Sequence, residues 1–232
     1  MAKVNLSPPH SPCMAYGYGP LPRPVEETLL ALQAGLVREY RAEYLPVHRR
    51  SPRRMRRLRR IQGWIRDIGR LLLQIDRVMQ EILPRIEQDT GHTFRGPDGL
   101  ARVLMDPSTK RLFWGILAGF PEEALPIPAK DLAQLGTFSD DARALALIGD
   151  VTLRLKILSG PHVQGGDLAA LCDRWGLHES RIGFACRRCP AGDILVREKE
   201  VLAWAVLGLL YVDGGTDALR AVVPLFAYGP EM

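Results

Sequence analysis

Apolar residues recur every three or four positions along most of this chain, and no segment shows a strong period-two alternation. Between Val25 and Tyr44, the residues Leu29, Leu32, Leu36 and Tyr40 fall on one face, and Pro46 is expected to end that helix. Ile61, Trp64, Ile65, Ile68, Leu71, Leu72, Ile75, Val78, Met79 and Ile82 then keep helical spacing, which predicts a long amphipathic helix over 53–83 stopped at Pro84. Its apolar stripe is wide enough to need a partner: the C-terminal part of the chain, the first helix or another subunit. Beyond Pro84 the spacing predicts helices at 97–105, 109–119, 129–135, 140–158, 166–175, 178–186, 197–212 and near 215–223. The fold class is all-α. Residues 1–24 are rich in Pro, Gly and Ser and have no periodicity, so an extended or disordered arm is expected there. The predicted organisation is this arm, a helical extension over 25–86 and a helical domain over 87–228.

Composition adjusts this picture only slightly. A hydrophobic fraction of 47% supports a real core, and 25% charged residues is ordinary for a globular protein. A formal net charge of +5 suits a polyanionic partner. No run of about 18 uncharged apolar residues predicts a membrane span. The N-terminus has neither the apolar core of a signal peptide nor the arginines of a transit peptide. Four cysteines in 232 residues do not make a disulfide framework, so a reducing, cytoplasmic setting is expected.

The positive charge is concentrated. His48-Arg-Arg-Ser-Pro-Arg-Arg-Met-Arg-Arg-Leu-Arg-Arg60 holds eight arginines in thirteen residues: Arg49, Arg50, Arg53, Arg54, Arg56, Arg57, Arg59 and Arg60. They cover more than one helix face, and the guanidinium fork matches phosphate oxygens in two-pronged fashion. This is the footprint of nucleic-acid binding, and RNA-binding residues are assigned here. A solubilising or intramolecular charged surface is the plainer alternative, with DNA and an anionic membrane as lesser ones.

Cys172, His178, Cys186 and Cys189 are spaced C-x5-H-x7-C-x2-C. Two thiolates across a tight turn can hold one tetrahedral zinc, so this set is a candidate site. Cys172 also falls on a predicted helix among apolar positions, where a core role explains it.

Several motifs together resemble the ribonuclease III domain family. Gly91, Phe94, Pro97, Leu100 and Ser108 sit where that family's opening segment has matching residues. Gly149, Asp150 and Leu153 match its signature helix, and Leu168, Leu171, Gly176 and Leu177 match the helix that follows. Gly208, Tyr211, Asp213 and Gly215 match its second active-site helix. The sequence ends at Met232 with no double-stranded RNA-binding domain, similar to the compact mini-ribonuclease III branch. The resemblance implies a ribonuclease III-like helical fold, a homodimer that forms a cleft for A-form RNA, and Mg²⁺-dependent phosphodiester hydrolysis.

The family's acids are mostly replaced. Arg143 and Ala146 stand at two glutamate positions of the first helix, and Val201 and Trp204 stand at the Asp and Glu positions of the second. Asp150 alone remains as a family catalytic position. Arg143, Asp150 and Arg154 lie at i, i+7 and i+11, on one helix face. Asp150 is therefore either an ion-pair partner of Arg154, with Arg143 nearby, or a surviving Mg²⁺ ligand. Glu198 and Glu200 would replace the lost acids only if the second helix shifts register by one to three residues. Asp213-Gly-Gly215 is expected to stop that helix with local capping.

The resulting expectation is a non-catalytic RNA-binding protein of ribonuclease III type. It would recognise structured or double-stranded RNA, without a cofactor, and the resemblance permits a place in a ribonucleoprotein assembly. The alternatives are a divergent Mg²⁺-dependent endoribonuclease in RNA processing, built on Asp150 with Glu198 or Glu200, and a protein-interaction module.

Overall fold

A computed structural model describes residues 23–44, 51–96, 98–121, 124–157, 165–184 and 192–227. The arm expected over 1–24 lies outside the described residues except for Arg23 and Pro24. Every regular element among the described residues is helical, and an isolated Met105–Ile182 bridge is the one strand-like contact.

Helix α1 spans Val25–Tyr44, as its period predicts. Asp98 accepts a hydrogen bond from the Val25 N–H at 3.2 Å, so its first turn is capped from a distant part of the chain. Helix α2, Pro52–Arg77, begins where Ser51 accepts the Arg54 N–H at 3.3 Å and Pro52 occupies the first turn. Ile61, Ile68, Leu71 and Ile75 of α2 are buried, and the helix packs against α1.

The helix does not stop at Pro84. A π turn, Val78–Ile82, follows α2 and leads straight into α3, Leu83–Thr90. The Leu83 N–H bonds to Val78 O, five residues back. The wider turn makes room for a ring that would clash with a carbonyl four residues earlier. Gly91, with φ 63°, ends the rod in the left-handed region. The division expected between 86 and 87 therefore falls inside a helix.

Helices α4 (Asp98–Leu104), α5 (Thr109–Leu117), α6 (Ala129–Ile157), α7 (Gly165–Trp175) and α8 (Asp193–Ala227) complete the order. Two helices expected at 129–135 and 140–158 are one. Gly136 does not break α6: a Cβ there would lie 3.1 Å from Trp114 Nε1, so its smallness serves packing, while Leu135 and Phe138 are buried on either side. The helix expected at 178–186 is absent from its described part. Ile182 instead donates to Leu104 O at 2.9 Å and accepts from the Asp106 N–H at 2.8 Å.

Helix α8 is two helical segments joined at a kink, as the helices expected at 197–212 and 215–223 imply, with non-helical geometry at Gly215 (φ 70°, ψ −153°). That conformation is accessible essentially to glycine alone. By length and composition α8 is apolar enough to cross a membrane, yet half of the qualifying window is buried inside the protein. It packs chiefly on α6 and α7. One continuous apolar core joins α1 and α2 to the later helices.

Candidate functional site

The α6–α8 crossing carries the Gly149, Asp150 and Gly208 positions on which the resemblance rests. A Cβ on Gly149 would collide with Trp204 O and lie 2.8 Å from Gly208 N. One on Gly208 would collide with Leu145 O and lie 3.1 Å from Gly149 N. The two backbones therefore touch, and neither position tolerates a side chain.

Asp150 follows Gly149 on α6 and is 2.6 Å from Arg154 Nε. Arg143 does not join this pair; its guanidinium lies 3.8 Å from Asp140 and is 73% exposed. Ala146 and Trp204 are partly buried against the core, and Val201 is exposed. What α8 turns toward Gly149 is the Trp204 carbonyl, not a carboxylate.

Glu198 lies six residues before Trp204, about 9 Å along the helix. Its carboxylate is 3.2 Å from Arg181 Nη1 and 3.6 Å from His178 Nε2. Arg181 in turn is 2.6 Å from the buried Asp106 carboxylate. Glu200 is half-buried and forms no ion pair with a described residue. Among the described residues no three His, Cys, Asp or Glu side chains converge on a metal-sized space. Mg²⁺ requires several oxygens in octahedral array, anchored by at least one or two carboxylates. One aspartate already held by a guanidinium does not fit that requirement.

The zinc candidates are only partly described, because Cys186 and Cys189 lie outside the described residues. Cys172 is fully buried, and that burial pushes its thiol up to about 12. A metal-binding thiolate is disfavoured there. His178 is turned toward Glu198 instead.

Arg49 and Arg50 likewise lie outside the described residues. Of the six remaining arginines, two are engaged internally. Arg54 donates to Glu43 O at 2.5 Å, and Arg57 pairs with Glu43 at 2.8 Å while lying over the Phe120 ring. Arg53, Arg56, Arg59 and Arg60 are exposed and form no ion pair with any described residue. The stripe also runs further than the sequence cluster, since Arg66 and Arg70 continue it with only long contacts to Asp67 at 3.7 and 3.9 Å. Their spacing of four, with Arg59 seven before Arg66, was the available signal.

Three polar clusters escaped the sequence reading. Asp106 joins α4 to the 181–183 segment, accepting the Ser108 N–H at 2.8 Å as well as pairing with Arg181; Asp106-Pro107-Ser108 is a turn signal that marks it. Asp213 does not cap its own helix. It accepts from the Arg95 N–H at 3.0 Å and lies 2.8 Å from His92 Nε2, tying the 91–96 segment to α8. Asp141 is half-buried, and desolvation pushes its carboxyl up to about 6, opposed by Arg102 and aided by Asp140. Arg102 is itself buried, 5.0 Å above the Phe138 ring.

Comparison with protein-family models, curated proteins and solved structures finds no match to this chain.

Proposed function

We propose that this protein binds structured or double-stranded RNA without cleaving it, through the arginine face at the start of α2. The observation that carries this reading is the set of four exposed arginines, Arg53, Arg56, Arg59 and Arg60, which form no ion pair with any described residue. Charges left unpaired over two helical turns favour a polyanion, and A-form RNA is recognised largely through shape, phosphate and 2′-OH. The ribonuclease III-like arrangement is part of this proposal, and the glycine-to-glycine crossing at Gly149 and Gly208 supports it. Absence of cleavage rests on the donor set at Asp150 rather than on Arg143, which is turned to Asp140. The divergent nuclease alternative draws no support from Glu198, which is committed to Arg181.

Homodimerisation belongs to the same reading. Leu147, Val151 and Leu155 form a stripe on α6 at 61%, 46% and 65% exposure, with Val201 of α8 at 49%. Burying such side chains yields about 1.5–3 kcal/mol each. The decisive experiment is titration of a labelled RNA duplex at several salt concentrations, with sedimentation of the same preparation. Affinity that does not respond to salt, or that survives loss of the four arginines, would remove the reading.

A further inference from the structure

Outside the arginine face, α1 borders a second basic feature of different character. A groove of about 850 Å³ runs along α1 against Pro126. Its floor is aliphatic, with Leu30, Ala34 and Val37 along α1 and Pro126 as a wall. That wall is close because Gly35 faces Pro126 directly; a Cβ there would collide with the proline ring. Leu30 is 47% exposed, a large apolar side chain with nothing over it among the described residues. Arg23, Arg38 and Arg41 line the groove as well. All three are exposed, and none forms an ion pair with a described residue.

We infer that this groove docks an acidic amphipathic helix of another protein. The surface offers two things at once, an aliphatic strip and arginines at both of its ends: Arg23 at the end that also carries the exposed Glu26 and Glu27, and Arg38 with Arg41 at the other. From Val25 to Arg41 the helix rises about 24 Å, which matches a partner of roughly sixteen residues. Apolar side chains at i, i+4, i+7 and i+11 would lie on Leu30, Ala34 and Val37, and the small Ala34 lets the partner approach closely. Carboxylates at its two ends would meet Arg23 on one side and Arg38 with Arg41 on the other. A small ligand would leave most of its surface in water in so open a groove. Single-stranded nucleic acid would find no aromatic side chain on the floor on which a base could stack, and a duplex would leave the aliphatic strip unused. Nor do residues 1–22 supply the acids, since they contain no Asp or Glu. The inference is independent of the RNA reading, because it uses none of the α2 arginines.

The test uses the full chain and a fluorescein-labelled synthetic sixteen-residue peptide with leucines on one face and glutamates at both ends. A lysine version of the peptide is the control. The expected result by anisotropy, at 150 mM salt, is binding of the glutamate peptide only. Arg38→Glu with Arg41→Glu should weaken it about ten-fold or more, as should Leu30→Glu, because both lie at the contact. Arg53→Glu with Arg56→Glu should leave peptide binding within about two-fold while weakening RNA, which separates failure of this inference from failure of the RNA reading. Equal binding of both peptides, or indifference to Arg38→Glu with Arg41→Glu, would overturn it. So would binding that appears only after Glu122→Gln with Glu123→Gln, which would mean that the chain's own acids occupy the arginines. An RNA duplex that displaces the peptide, and itself loses affinity in the Arg38→Glu, Arg41→Glu protein, would assign the groove to RNA instead.

Discussion

Gly149 of α6 and Gly208 of α8 meet backbone to backbone, so that a Cβ added to either would lie within 3.1 Å of the other's peptide nitrogen. The atoms a Cβ would strike are main-chain carbonyls, which cannot rotate aside. Gly149→Ala and Gly208→Ala should each destabilise by about 3 kcal/mol or more, at the upper end for overpacking. Urea unfolding checks this, with Gly63→Ala as control, since a Cβ at Gly63 meets nothing within 4 Å. A neutral result at Gly149 would contradict the crossing.

Asp150→Asn should change little. Its partner Arg154 is 76% exposed, and a surface i, i+4 pair contributes about 0.3–0.5 kcal/mol, reduced by salt. The same variant should leave RNA affinity unaltered. Wild-type protein should show no cleavage of duplex RNA with Mg²⁺ or Mn²⁺. Activity that disappears in Asp150→Asn would instead promote the nuclease reading.

Arg53→Ala, Arg56→Ala, Arg59→Ala and Arg60→Ala together should lower duplex affinity and flatten its salt dependence. Each phosphate contact removed takes roughly 0.9 from the slope for a B-form duplex, and a similar value is expected for RNA. Arg54→Ala and Arg57→Ala should act differently. These arginines hold Glu43 of α1, so their loss should appear in thermal unfolding more than in the salt slope.

Asp141 predicts a pH dependence. Its folded-state carboxyl is raised by burial to about 6, above the ordinary value of 3.8. Between those values the folded state binds more protons than the unfolded state, so stability falls as pH rises through this window. Above about 6 the penalty is complete. Asp141→Asn should flatten the slope between pH 4 and 6 and stabilise the protein at pH 7 by on the order of 1 kcal/mol, allowing for partial exposure. A slope that persists in the variant would locate the effect elsewhere.

The helices that pack by one continuous face were legible from spacing alone. α1 shows this, because Leu29, Leu32 and Leu36 are all buried on one face and the single glycine among them, Gly35, leaves the helix unbroken. Punctuation misled where tertiary structure absorbed it. Pro84 looked like a stop because its cost was judged for an α turn, and a π turn removes that cost. The spacing left 136–139 between two predicted helices, whereas Gly136 continues α6 by packing against Trp114 of α5. At the candidate site, the i, i+4 pair of Asp150 and Arg154 was readable as local geometry. The partners of Glu198, Asp213 and Asp106 were not, since each lies across a turn or on another element. Arg143 lies three residues from Asp140 and seven from Asp150, and the ion-pair spacing of a helix puts it with Asp140.

The uninterrupted passage through Pro84 has a mechanical consequence. Pro52 and Thr90 are the tips of one helical rod, about 58 Å in contour. One tip carries the exposed arginines. The other ends at Gly91, where the following segment is fastened to Asp213 just before the bend at Gly215. One continuous helical backbone therefore joins the arginine tip to the segment that is tied to the joint of α8. The π turn lies along that link with Val78 and Ile82 buried in the core, so the rod is anchored partway between the two ends that it joins.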